Sequence, residues 1–98
     1  MFINFKSYQK SIQFYRSCQE LKMPYHLKEQ LNRASASATL NLSEGSAKRT
    51  ERDQKKFFNI AYASVKECQS ILVLANVTDL AVLDAADHLG AMLYKLSR

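Results

Sequence analysis

Five basic side chains, Lys48, Arg49, Arg52, Lys55 and Lys56, fall within nine positions of the stretch NLSEGSAKRTERDQKKFF, residues 41–58. Clustered cations of this kind attract anions, and nucleic-acid phosphate is the commonest such partner. Arg52 and Lys56 are four residues apart, so a helix would project both from one face. Lys48 and Arg49 precede that helix and would lie near its free N–H groups, where the dipole also favours an anion. Glu51 and Asp53 occupy the same helix end and oppose a phosphate there. The competing reading is a solvated helix face held by i,i+4 ion pairs. Arg33, Lys6 and Lys10 are weaker candidates outside the cluster.

Other chemistry finds little support. His26 and His88 stand far apart, and neither falls in an HxxxH, ExxH or CxxC spacing that would hold a metal. Ser43-Glu44-Gly45-Ser46 lacks the GxSxG pattern, and the preceding strand, of a nucleophile turn. Two glycines in the whole chain cannot build a glycine-rich phosphate loop. The expectation is a protein that is not an enzyme, with no metal and no cofactor. Glu44 sits where a helix should be ending, against the negative end of the dipole. Its position reads as a clasp of the turn, bonded to Arg52 or to the first N–H groups of the next helix.

The elements that position these residues are helices. The 98 residues make one domain, and two Gly and one Pro leave little turn chemistry for a β fold. Phe5, Tyr8, Ile12, Tyr15, Cys18 and Leu21 recur at helical steps, giving a helix over about residues 5–22 that stops before Pro24. Leu27, Leu31, Ala34, Ala38 and Leu42 mark a second helix, with Gly45 as its C-cap. Thr50 is the N-cap of a third, whose core stripe is Phe57, Ile60 or Ala61, Ser64, Cys68, Ile71 and Ala75. A fourth begins near Thr78-Asp79 and carries Val82, Ala86, Leu89, Leu93 and Leu96. The fold class is all-α, an up-down-up-down four-helix bundle.

Charge and composition place the partners. The first 66 residues hold 12 of the 14 basic and 5 of the 9 acidic side chains, a net of +7, whereas residues 67–98 are net −2. Cys18 and Cys68 read as reduced core thiols, the N-terminal MFINFKSYQK lacks a signal-peptide core, and no apolar run spans a bilayer. The expected location is the cytoplasm. The sequons at Asn41 and Asn76 are then chance matches.

The run ASASAT, residues 34–39, lets the second helix approach neighbours on more than one side. Leu40 on that helix and Phe2, Ile3 and Phe14 on the first fall off the main stripes, more apolar surface than a monomer buries. Self-association would bury it.

The segment from Gln30 to Ala75 resembles the four-helix-bundle proteins encoded in intervening sequences of bacterial 23S ribosomal RNA genes. The accessory variability determinants of diversity-generating retroelements belong to the same grouping. The resemblance rests on Gln30, Leu31, Arg33 and Ala34, then Asn41, Leu42, Ser43, Glu44 and Gly45, then Phe57, Ala61, Ser64 and Glu67. The C-terminal DHLGAMLYKL is similar to the family's last helix. It implies an antiparallel bundle assembling as a homopentamer. For retroelement members it also implies binding to nucleic acid and to a reverse transcriptase. Within the motif, Asn41, Glu44 and Gly45 look like a clasp of the turn, and Ser64 and Glu67 like polar positions between helices or subunits.

These readings converge on a non-enzymatic oligomeric bundle that binds RNA or DNA through phosphates, with little base specificity. The alternative is a scaffold that binds only protein, through the apolar surface of the first two helices.

Overall fold

The computed structural model describes residues 5–98, and the described residues form four α-helices with no strand among them. Helix α1 spans Phe5–Gln19, α2 Tyr25–Ser46, α3 Glu51–Leu74 and α4 Leu80–Leu96. Each helix packs on the next and α1 packs on α4, which closes a ring of four around one core. The molecule measures 40 × 22 × 20 Å. Its long axis matches α3, whose 24 residues rise about 36 Å at 1.5 Å each. No described helix is long and apolar enough to cross a membrane.

Local chemistry explains the ends of these helices. Lys28 reaches back from α2 to donate to the carbonyls of Gln19 (2.8 Å) and Leu21, so a cation covers the negative end of α1. Pro24 is extended and immediately precedes α2, as its missing N–H and fixed φ favour. Thr50 caps α3, its hydroxyl accepting from Asp53 N–H at 3.1 Å, and Asp79 caps α4 through Val82 N–H at 3.2 Å. The end of α3 was not foreseen. Asn76 adopts φ 56°, Asn76 N–H bonds Val73 O and Val77 N–H bonds Leu72 O, both at 3.0 Å. This is a Schellman closure with asparagine in the left-handed position usually held by glycine.

The core differs from the expected stripes in three places. In α1 the buried positions are Ser7, Ser11, Phe14 and Cys18, while Tyr8, Ile12 and Tyr15 are half-buried. Phe14, read from sequence as lying off the main face, is 1% exposed. Helix α1 has therefore turned by one residue, because small serines let it approach its neighbours closely. The Ser11 hydroxyl costs no unmet bond: it donates to Tyr8 O at 2.7 Å and accepts from Thr39 Oγ1 at 2.8 Å. In α3 it is Phe58 that is buried, not Phe57, and Ile60 is exposed. Phe2 and Ile3 lie outside the described residues.

The third difference is Gly45, which does not cap α2. The helix runs through it to Ser46, the cap is Ala47 at φ −83°, and no described glycine has positive φ. Gly45 is needed for closeness instead. A Cβ there would stand 2.7 Å from Phe58 Cε1 and 3.1 Å from the Gln54 carbonyl oxygen.

Both cysteines are buried and unbridged. Burial pushes the Cys18 thiol up to about 12 and raises that of Cys68 as well, so both stay protonated at neutral pH.

Candidate nucleic-acid interface

The turn between α2 and α3 is built from its own polar groups. Gln54 Nε2 donates to Lys48 O at 3.1 Å, and Gln54 N–H donates to Thr50 O at 2.9 Å. Since Thr50 already takes the Asp53 N–H, the α3 N-terminus directs part of its donor capacity to its own cap. That cap takes one of the backbone donors that the sequence offers to a phosphate.

The basic side chains fall into two sets. Lys48 lies 3.3 Å from Glu44 Oε2 and 5.1 Å from the Phe57 ring centre, and Lys55 lies 3.8 Å from Glu51 Oε1. These are the i,i+4 pairs of a solvated face, each worth only about 0.3–0.5 kcal/mol. Arg49, Arg52 and Lys56 are exposed, and no carboxylate lies within ion-pair reach of them among the described residues. Glu44 therefore clasps Lys48 within the end of its own helix, not Arg52 across the turn, and its side chain stays 54% exposed.

Helix α3 carries the charge onward to a face shared with the end of α4. Lys55, Lys56 and Asn59 on α3 line a groove of about 420 Å³ with Ser97 and Arg98 beside the end of α4. Tyr62 and Tyr94 floor it, their ring centres 5.6 Å apart and their planes at 59°. Each ring carries a cation: Lys66 stands 5.8 Å over Tyr62, and Arg98 stands 4.3 Å over Tyr94 and also donates to its hydroxyl. A second hollow of about 300 Å³ continues past the same rings to Lys66, Lys95 and Asp87. A 2.7 Å bond from Gln69 Nε2 to Asp87 Oδ1 closes its far side.

Arg33 is not part of this face. It shares a separate hollow on α2 with Glu29 and Asn32, about 18 Å along the helix axis from Gly45 at 1.5 Å per residue. Lys6 and Lys10, on α1, do not line the groove either.

Sequence reasoning missed Tyr62, Lys66, Tyr94, Lys95 and Arg98. The net negative charge of residues 67–98 hid Lys95 and Arg98, because a charge count cannot see that the end of α4 lies against the start of α3. The spacing of Lys55, Tyr62 and Lys66, at steps of seven and four, was the available signal.

The motif residues sit elsewhere. Asn41 Nδ2 donates to Ser37 O at 2.9 Å and Ser37 Oγ at 3.1 Å. Ser37 Oγ meets Ser64 Oγ across the helices at 2.9 Å, and Ser64 Oγ reaches Ile60 O at 3.0 Å. Leu31, Ala34, Leu42, Gly45, Ala61 and Ser64 are all buried, and Gly45 and Ser64 lie at the α2–α3 seam. A comparison with protein families matches residues 4–98 to the 23S rRNA-intervening sequence proteins. The chain belongs to the 23S rRNA-intervening sequence protein family. No curated protein and no solved structure matches it. Within the family pattern, Ser64 joins α3 to Ser37 of α2, which Asn41 holds from its own helix, whereas Glu67 is exposed on α3.

Proposed function

We propose that this family member is a non-enzymatic, oligomeric helical-bundle protein that binds nucleic acid, RNA or DNA, mainly through phosphate contacts. The observation that carries the reading is the set of exposed cations Arg49, Arg52 and Lys56, which form no ion pair among the described residues and are continuous along α3 with the groove holding Lys55 and Arg98. Exposed arginine and lysine with no internal carboxylate partner keep their charge for an external one. Nothing in the site reads base edges, so affinity across sequences should be even.

In this reading the helices alternate in direction. Contact pairs support it: Thr39 meets Ser11 while Asn32 meets Gln19, and Tyr94 meets Tyr62 while Asp87 meets Gln69. Assembly, a pentamer by resemblance, would bury Leu40, which is 66% exposed. Light scattering on a dilute sample reads that mass directly.

The test is anisotropy of a labelled structured RNA across a salt series. Log K should fall linearly with log salt at a slope of several counterions. Arg49→Glu with Arg52→Glu should weaken binding to every sequence tried. Absence of binding at low salt overturns the reading.

A second reading, a protein scaffold, is favoured by one feature. Ile12, Tyr15, Ala36 and Leu40 line an apolar hollow of about 310 Å³ between α1 and α2. By resemblance its partner would include a reverse transcriptase. A single protein captured from lysate after nuclease treatment, with no nucleic-acid binding by the pure chain, would replace the first reading with this one.

A further inference from the structure

We infer that the groove between α3 and α4 takes unpaired nucleotides, with a base stacked on Tyr94 or Tyr62, so that this protein prefers single strands to duplex. The inference rests on the nucleic-acid reading above and narrows its substrate class.

Three observations carry it. First, the groove joins the two groups that single-strand binding needs, aromatic faces and cations that track a backbone. The pair Tyr62 and Tyr94 stands between Lys55, Lys56 and Arg98 on one side and Lys66 and Lys95 on the other. Among the described side chains lining the two hollows, Asp87 is the one carboxylate, and Gln69 holds it. Charge complementarity therefore selects an anionic chain as occupant.

Second, the rings are accessible. Tyr94 is 43% exposed, and its tilted contact with Tyr62 leaves the pair open to the groove. Neither ring is fully buried, and while Tyr62 packs partly against the core, Tyr94 does not. A large aromatic left on the surface beside cations is poorly explained by packing.

Third, Arg98 is poised for exchange. Its guanidinium carbon stands 4.3 Å from the Tyr94 ring centre, and the residue is exposed. A base stacking on Tyr94 replaces one planar group by another and frees the guanidinium for the adjoining phosphate. Duplex offers no such base, because its bases are already paired and stacked.

The prediction separates from simple phosphate binding by its sign. A face that reads charge alone favours duplex, whose phosphates are denser along the axis and whose salt slope per contact is steeper. A stacking groove favours the single strand.

The experiment compares labelled oligouridylate and oligothymidylate with a duplex RNA of equal length, at one low salt concentration. The single strands should bind about tenfold or more tightly than the duplex. Tyr94→Ala should abolish that preference while Tyr94→Phe keeps it, with circular dichroism confirming that both variants are folded. Since the chain has five tyrosines and no tryptophan, the part of the tyrosine emission lost in Tyr62→Phe with Tyr94→Phe reports the groove, and single strand should quench that part more than duplex does. Equal or tighter duplex binding, or a preference that survives Tyr94→Ala with Tyr62→Ala, overturns the stacking inference and leaves phosphate binding standing. Failure of every nucleic acid to bind overturns both.

Discussion

The α2–α3 seam and the α3–α4 face use the same helix for opposite purposes. In the seam, α3 presents the buried Phe58 and Ser64 to Gly45 and Ser37 of α2. Asn41 Nδ2, Ser37 Oγ and Ser64 Oγ each have a partner within 3.1 Å. On the other side, α3 presents Lys55, Lys56, Tyr62 and Lys66, whose charged ends reach solvent across an open groove. The seam tolerates little change of volume because interiors are close-packed. The face tolerates substitution because nothing in the fold depends on its charged ends. The lesson concerns the family pattern, whose Gly45 and Ser64 lie in the seam. Those two residues report how two helices meet, whereas residues outside the pattern carry the groove.

Substitutions can break that contrast, and the seam should supply the larger stability effects. Phe58→Ala empties the most demanding position, and about 3–5 kcal/mol should be lost. Thermal unfolding followed by circular dichroism checks it, and a shift of only a few degrees would mean that α2 collapses onto α3. Gly45→Ala adds a methyl where the Phe58 ring already stands. The expected cost is about 1–3 kcal/mol from overpacking, despite the gain of up to ~1 kcal/mol that alanine brings to a helix interior. In a Phe58→Leu background the same change should cost less; equal costs would show that the ring is not the obstacle.

Smaller effects come from the turn. Thr50→Ala removes the hydroxyl that accepts from Asp53 N–H and should cost about 1 kcal/mol in urea unfolding. Glu44→Ala breaks an exposed i,i+4 pair with Lys48, so a loss of only about 0.3–0.5 kcal/mol is expected. A larger loss would restore the role of a clasp across the turn. Least of all in stability, Arg49→Glu with Arg52→Glu should stay within about 0.5 kcal/mol of the parent chain. The same pair should make the salt dependence of binding shallower by roughly one counterion per lost phosphate contact. A double variant that unfolds early instead would place these arginines in the fold, and the contrast between the two sides of α3 would fail.

Most of the secondary structure was legible in the residues themselves, because its causes are local. Pro24 separates α1 from α2, Thr50 and Asp79 offer side-chain acceptors where α3 and α4 begin, and apolar steps of three and four mark each helix. The α4 stripe of Val82, Ala86, Leu89 and Leu93 is buried as its spacing predicts, and Leu96 packs partly against the core. The cationic stretch from Lys48 to Lys56 was also plain, since charge is a property of composition.

What the residues alone left open is which side of each helix turns inward and which distant residues become neighbours. Phe57 and Phe58 are equivalent on a periodicity plot. Only the space above Gly45 chooses between them, since Gly45 leaves room for the Phe58 ring that any Cβ would fill. Gly45 itself resembled a C-cap because glycine commonly ends helices, yet its missing side chain serves closeness between helices. Tyr62 and Tyr94 are 32 residues apart in the sequence and 5.6 Å apart in space. Capping and helical periodicity are set by residues a few positions apart, so the chain determined them by itself. The face a helix buries and the groove two helices make depend on volumes contributed from opposite parts of the chain, and only tertiary packing decides those.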